Sequence, residues 1–239
     1  MQIGQNTFLN IERLQENINF LDDYFSSNSM TWTFVIKAFN YYPKNFINFL
    51  AQISCDSIAS PNPEHLSCFK KHNSHIETWW LNYNCEINNF KSVDVNLTAK
   101  KKASNDNYCF MILTDTKREG LDVNIVKDFL FNSKIRNVGA YFDCSSRVDN
   151  FLLQKWKDFQ FDESVLQSLG TSVSFCQINQ LKDVGANHYR IGELVLTGLD
   201  IITNKPIIGM RQDIFTPIRE KTYHFILNLH KDENNQQLH

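Results

Sequence analysis

No Gly-x-Gly-x-x-Gly follows any candidate strand in this chain of 239 residues, so a dinucleotide-binding fold has no support. Nor do the six cysteines (Cys55, Cys68, Cys85, Cys109, Cys144, Cys176) form a Cys-x-x-Cys or a Cys/His ligand pattern, which argues against structural zinc. No secretory leader is read ahead of them, and the expectation is reduced thiols in a cytoplasm. Charged or amide residues interrupt every apolar stretch well short of a membrane span. An excess of one charge is also missing: the net charge is -2 with both signs interspersed, which leaves no electrostatic footprint for nucleic acid or an anionic membrane. The one basic cluster, Lys100-Lys101-Lys102, reads as a solvated loop or helix end.

What is present is an alternation of short apolar runs with amphipathic segments. Residues 10 to 26 place Ile11, Leu14, Ile18, Leu21 and Phe25 on one helical face, with Asn10 as the expected N-cap. Strands are then expected at 31–38, 57–60, 78–82, 93–97, 108–114, 137–142, 165–169 and 188–191. Helices are expected between them at 43–53, 63–72, 122–132, 148–160 and 177–184. Leu121, Ile125, Val126 and Phe129 form one inner stripe, and Phe151, Leu152, Trp156 and Phe159 another. Eight strands is the number that closes a parallel α/β barrel, the (β/α)8 or TIM architecture, and the length suits a single such domain. By periodicity alone an open doubly wound sheet fits equally well. After Leu199 the pattern changes to what reads as a short β excursion, and the polar C-terminal residues read as a tail.

Two places carry chemistry. Thr31-Trp-Thr-Phe-Val-Ile-Lys-Ala-Phe-Asn-Tyr-Tyr-Pro43 sets Lys37 at the end of an apolar run, where a barrel strand hands over to the catalytic rim. A strand-end lysine is by itself more often a solvent-facing residue. At the other end, His188-Tyr-Arg-Ile-Gly-Glu-Leu-Val-Leu-Thr-Gly198 brings Gly192 to a helix start, and Leu169-Gly-Thr-Ser-Val173 offers hydroxyls from the preceding strand. The loops after strands seven and eight of such barrels are the usual phosphate site, and strand eight neighbours strand one on closure. Each piece alone is ordinary turn chemistry; together they point to a phosphorylated cofactor held across the barrel mouth. His188 and the other histidines lack ligand spacing and read as satisfied or surface residues.

Val35-Ile-Lys-Ala-Phe-Asn-Tyr41 resembles the lysine motif of the alanine racemase N-terminal barrel, which binds pyridoxal phosphate. Ser57-Ile-Ala-Ser-Pro-Asn-Pro-Glu-His-Leu66, Lys117-Arg-Glu-Gly-Leu121 and Tyr189-Arg-Ile-Gly-Glu-Leu-Val-Leu-Thr-Gly-Leu-Asp200 are similar to the ornithine racemase-like branch of that family. The resemblance extends to about residue 220. It implies one cofactor-binding barrel over 1–220, with 221–239 as a C-terminal extension. It also implies that Lys37 forms the Schiff base and moves protons at the substrate α-carbon. Tyr41 would reach the phosphate, and Ser172 with the amides of Gly192 and Glu193 would complete the phosphate cup. Arg190 would face the pyridine nitrogen, and Arg118 would line the site. An apolar surround favours the neutral amine that attacks an aldehyde.

Three departures from the family pattern bear on activity. The chain is expected to lack the C-terminal β-domain, from which relatives draw a second catalytic base, a tyrosine of a partner subunit. Tyr141 stands where the family has histidine or asparagine, and Asp115-Thr-Lys-Arg118 and Tyr42 replace family glycines. Racemisation needs protonation on the face opposite to deprotonation, so Tyr141, or Cys144 beyond it, becomes the candidate second proton carrier. Two functions stay open: a pyridoxal-phosphate-dependent amino-acid racemase acting on a free α-amino acid, and a non-catalytic barrel that holds or delivers the cofactor. Either would be a monomer or a homodimer, with no metal.

Overall fold

The computed structural model describes residues 2–4, 7–81, 91–99, 108–112, 120–132, 137–143, 157–158, 161–162, 164–172, 175, 178, 182 and 185–217. The element order is β1 (Gln2–Gly4), β2 (Thr7–Leu9), α1 (Ile11–Ser27), β3 (Thr31–Val35), α2 (Lys44–Leu50), β4 (Ser57–Ser60), α3 (Pro63–His72) and β5 (Glu77–Trp80). It continues with β6 (Val95–Thr98), β7 (Tyr108–Met111), α4 (Val123–Asn132), β8 (Asn137–Asp143), β9 (Leu166–Ser172), β10 (His188–Ile191), a short helix Glu193–Thr197 and β11 (Phe215–Pro217). Strands β3 to β10 close into an eight-stranded barrel, β10 pairing in parallel with β3. That closure decides between the barrel and the open sheet.

Local chemistry sets the helix starts. Asn10 caps α1, its side-chain oxygen accepting from the Arg13 N–H at 3.1 Å, and Asn62 caps α3 by accepting from the Glu64 N–H at 3.0 Å ahead of Pro63 at the first helical position. The buried face of α1 is Leu14, Ile18, Leu21 and Phe25, each of which contributes about 1.5–3 kcal/mol by leaving water. Asn17 on the same face is fully buried and satisfied: its amide donates to the carbonyls of Val195 (3.0 Å) and Arg211 (2.9 Å). It thereby fixes the short helix after β10 against α1.

Alternation along the strands splits the core in two. Outward residues such as Phe34, Ile58, Phe110 and Tyr189 join the helices in one large cluster, in which Phe25 stacks on both Trp32 and Tyr189. Inward residues of β4 to β7, namely Ala59, Trp79, Val95, Leu97, Cys109 and Met111, form a second cluster inside the barrel. The stripe on α4 packs through Val126 and through Phe129, whose ring stacks on Phe110 at 5.1 Å.

Several boundaries differ from expectation. The first barrel strand stops at Val35, not at 38: the Ile36 N–H donates to the Ala59 carbonyl at 2.9 Å, then Lys37–Phe39 turns into a 3-10 helix that buries Phe39 against Phe46. The next helix is Lys44–Leu50, shorter than 43–53. The strand expected over 108–114 ends at Met111, whereas that over 165–169 runs on to Ser172. After Leu199 the chain forms an isolated bridge to Pro206 and then β11, which pairs with β2 in a three-stranded sheet with β1. The stripe on 148–160 and the segment 221–239 lie outside the described residues. Among the described residues no helix is long and apolar enough to cross a membrane.

Candidate functional site

Closure of β10 on β3 assembles the rim around Lys37. In that pairing Arg190 lies opposite Thr33 and Ile191 opposite Phe34, so the next residue, Gly192, meets Val35. The approach is close: a Cβ added at Gly192 would sit 2.8 Å from the Val35 carbonyl oxygen. Lys37, two residues past Val35, is half-buried at the same sector of the rim. Its backbone is held by the Asn40 N–H donating to the Lys37 carbonyl at 3.0 Å, and by Phe39, Tyr42 and Phe46 packing together beneath the turn.

Gly192 caps the short helix Glu193–Thr197, whose first amides have no intrahelical acceptor. Glu193 is half-buried beside it. On the other side of β10, β9 ends at Ser172, so the backbone of Ser172, Gly192, Glu193 and Lys37 occupies three adjacent strand ends. Tyr141 pairs in register with Gly170, and Gly170 with Arg190, which sets the three in one row across β8, β9 and β10. Tyr41 stands apart: it is 81 % exposed in the turn after Phe39. Arg118 and Cys144 lie outside the described residues.

Beneath the rim is a polar layer. Arg190 is 4 % exposed inside the barrel. Its Nη1 donates to the Ser168 carbonyl (3.0 Å) and hydroxyl (2.5 Å), and its Nη2 to the Ala140 carbonyl (3.1 Å). These bonds tie the guanidinium to β9 and β8. His188 shares the inward face of β10 with Arg190 and is the satisfied kind of histidine. Its Nδ1 meets the Ser168 hydroxyl at 2.7 Å, its Nε2 meets the Thr33 hydroxyl at 2.9 Å, and its ring stacks on Trp79 at 4.7 Å and 10°. Burial, with the Arg190 charge adding to it, pushes the imidazole down to about 3, so it is neutral at physiological pH. Thr33 continues to Ser57 at 2.7 Å, and the Ser57 hydroxyl donates to Glu77 at 3.3 Å.

Ser168, Thr33, Ser57, Glu77 and Trp79 were not candidates from the sequence. The signal for two of them is period-two alternation: Thr33 is the polar residue between Trp32 and Phe34, and Ser168 is two residues ahead of Gly170 on the strand next to Arg190. Among the described residues no group of three or more His, Cys, Asp or Glu converges as a metal site. The arrangement offers an amine and backbone amides at a rim, above a permanent cation held rigidly in the barrel.

No family model and no curated protein matches the sequence. Solved structures do. Alanine racemase from Bartonella henselae with covalently bound pyridoxal phosphate is similar over 86 % of this chain and 67 % of that one, at 14 % identity and a TM-score of 0.59. Alanine racemase from Clostridium difficile covers 90 % and 62 % at 14 % identity and 0.56, and that from Corynebacterium glutamicum 86 % and 65 % at 11 % identity and 0.61. The chain thus spans about two thirds of the length of these structures, 62–67 %. At 11–14 % identity the likeness is one of fold, and the fold is the eight-stranded parallel barrel that alanine racemases carry.

Proposed function

We propose that this chain is a pyridoxal-phosphate-binding barrel of the alanine racemase type, close to the ornithine racemase-like branch, that exchanges the α-proton of a free amino acid. The observation that carries the reading is the closure of β10 on β3, which sets Lys37, Gly192 and Glu193 on one rim above buried Arg190. The residues present fit the cofactor: a half-buried amine, amides at the start of a helix, and a fixed guanidinium. When bound, pyridoxal phosphate supplies the electron sink that makes the α-proton of an amino acid acidic.

The chain's own groups divide the remaining work. Lys37 holds the cofactor and carries a proton on one face of the substrate. The Gly192 and Glu193 amides, with Ser172, bind the phosphate, an anion suited to N–H groups at a helix start. Arg190 cannot give up its proton, and it disfavours protonation of a ring nitrogen brought beside it, which limits delocalisation and favours simple proton exchange. Tyr141 serves the opposite face, and Arg118 lines the site.

A second reading, cofactor binding without turnover, is favoured by His188: both its nitrogens are engaged and it stays neutral, so it is no proton carrier. Incubation of the purified protein with pyridoxal phosphate tests both. A new absorbance band, fixed by borohydride on the Lys37 peptide and absent from Lys37→Ala, is the expected result; no uptake defeats either reading. Exchange of α-protons into deuterated solvent across a panel of amino acids, slowed in Tyr141→Phe, then separates the racemase from the carrier.

A further inference from the structure

We propose that His188 is a positioning residue for Arg190, locked as its Nε2–H tautomer within a one-directional hydrogen-bond relay that crosses the barrel from Arg190 to Glu77. Its effect on a ligand rests on the reading above, in which Arg190 faces the cofactor; the relay itself does not.

The relay has five links: Arg190 Nη1 to Ser168 Oγ (2.5 Å), Ser168 Oγ to His188 Nδ1 (2.7 Å), His188 Nε2 to Thr33 Oγ1 (2.9 Å), Thr33 Oγ1 to Ser57 Oγ (2.7 Å) and Ser57 Oγ to Glu77 Oε2 (3.3 Å). Its ends are chemically one-sided. A guanidinium only donates and a carboxylate only accepts. Because Ser57 gives its single proton to Glu77, it must accept from Thr33; Thr33 must then accept from His188, which places the proton on Nε2. From the other end Ser168 accepts from Arg190 and is free to donate to Nδ1. The Glu77 end thus fixes the direction and the tautomer, and the Arg190 end accommodates both.

The alternative leaves a defect. With the proton on Nδ1, Thr33 spends its own on Nε2, and Ser57 has one proton for two oxygens, Thr33 Oγ1 at 2.7 Å and Glu77 Oε2 at 3.3 Å. One contact becomes lone pair against lone pair: either the buried Thr33–Ser57 one, where such a mismatch is costly, or the partly exposed Ser57–Glu77 one, whose hydrogen bond is then lost. Thr33, Ser168 and His188 are all buried, so water does not substitute along that stretch of the relay. Trp79 reinforces the relay at its middle and at its Glu77 end, stacking on the imidazole and donating its indole N–H to the same Glu77 oxygen at 2.7 Å.

The consequence for Arg190 is orientational. A Ser168 hydroxyl that donates to Nδ1 turns its lone pairs to Nη1, and with the carbonyls of Ser168 and Ala140 this pins the guanidinium plane. Glu77, at the first residue of β5, lies at the opposite mouth of the barrel from Lys37 and is exposed. The orientation of the buried cation is therefore set from the far rim.

Nitrogen NMR of the full chain labelled at histidine and arginine tests this. His188, assigned by its loss in His188→Gln, should show a pyridine-type Nδ1 and a pyrrole-type Nε2, and Arg190 should show separate Nη1 and Nη2 signals. A pyrrole-type Nδ1, or averaged ring shifts, overturns the relay. In Thr33→Val the proton should move to Nδ1 and the Arg190 signals should merge; unchanged spectra overturn it as well. If Thr33→Val does not fold, the tautomer in the unsubstituted chain decides alone. With pyridoxal phosphate added, Thr33→Val should shift the cofactor band. An identical band in a loaded protein defeats the positioning role, whereas no uptake by either protein defeats the cofactor reading and leaves the NMR result standing.

Discussion

Arg190 occupies the space that a side chain at Gly139 would need: a Cβ there would lie 3.2 Å from Arg190 Nη1, 3.0 Å from Cys109 Sγ and 2.8 Å from Met111 Sδ. Gly139→Ala therefore overpacks the barrel interior, at about 1–3 kcal/mol. The expected outcome is a lower denaturation midpoint at unchanged m-value, together with displaced Arg190 signals in the NMR experiment. A midpoint equal to that of the parent would show that the interior relaxes freely around the added methyl.

Gly192→Ala is expected to act on the rim. The new Cβ would meet the backbone oxygen of Val35 at 2.8 Å, and a carbonyl in a strand has no rotamer by which to move away. We expect β10 and β3 to part at their C-terminal ends, with a loss of about 1–3 kcal/mol in stability and weaker retention of pyridoxal phosphate in equilibrium dialysis. Full stability with full retention would contradict the close approach.

The histidine in the barrel predicts an acid-sensitive fold. Its proton is bound near pH 3 when folded and near 6.5 when unfolded, so between those values unfolding takes up a proton. Stability from this group is fully present above about 6.5 and declines as pH falls, by up to about 1.4 kcal/mol per pH unit. Denaturant titrations between about pH 4.5 and 7.5 should give a shallower slope for His188→Gln than for the parent chain. Parallel slopes would mean that the imidazole titrates normally.

Tyr41 separates ligand effects from fold effects. At 81 % exposure its side chain contributes little packing, and Tyr41→Ala should change stability by less than about 0.5 kcal/mol. If the phenol closes on the phosphate of a bound cofactor, the same variant releases pyridoxal phosphate faster. Unaltered release removes Tyr41 from the phosphate site.

Where structure is local, the sequence was a good guide. The strands at 57–60 and 188–191 and the helix at 63–72 fall where expected, because Pro63, Asn62 and short β-branched or aromatic runs act within a few residues. The end of β3 was not legible. Ile36, Ala38 and Phe39 are as apolar as the strand before them, and what ends the strand is the 3-10 turn that the Phe39 N–H closes on the Ile36 carbonyl and that the packing of Phe39 on Phe46 holds. β1 and β2 escaped for a similar reason: each is three residues long, and β2 pairs with β11, which falls in the β excursion expected after Leu199. For the site, the motif residues Lys37, Arg190 and Gly192 stood out by type and position. The layer that holds Arg190 did not, since Ser168, Thr33, Ser57 and Glu77 come from four strands and are ordinary residues in their own segments.

The pairing of β3 with β10 also has a kinetic side. Thr33 and His188 bond across 155 residues of chain, so the first barrel strand to be made has no partner on one edge until the last barrel strand follows. Asn17 and Asn10 wait longer still, for Arg211 and Ile214. Contacts of such long sequence separation slow folding, and they expose an unpaired edge in the meantime. For this chain the edge so exposed is that of β3, which stays open on one side until β10 has been made.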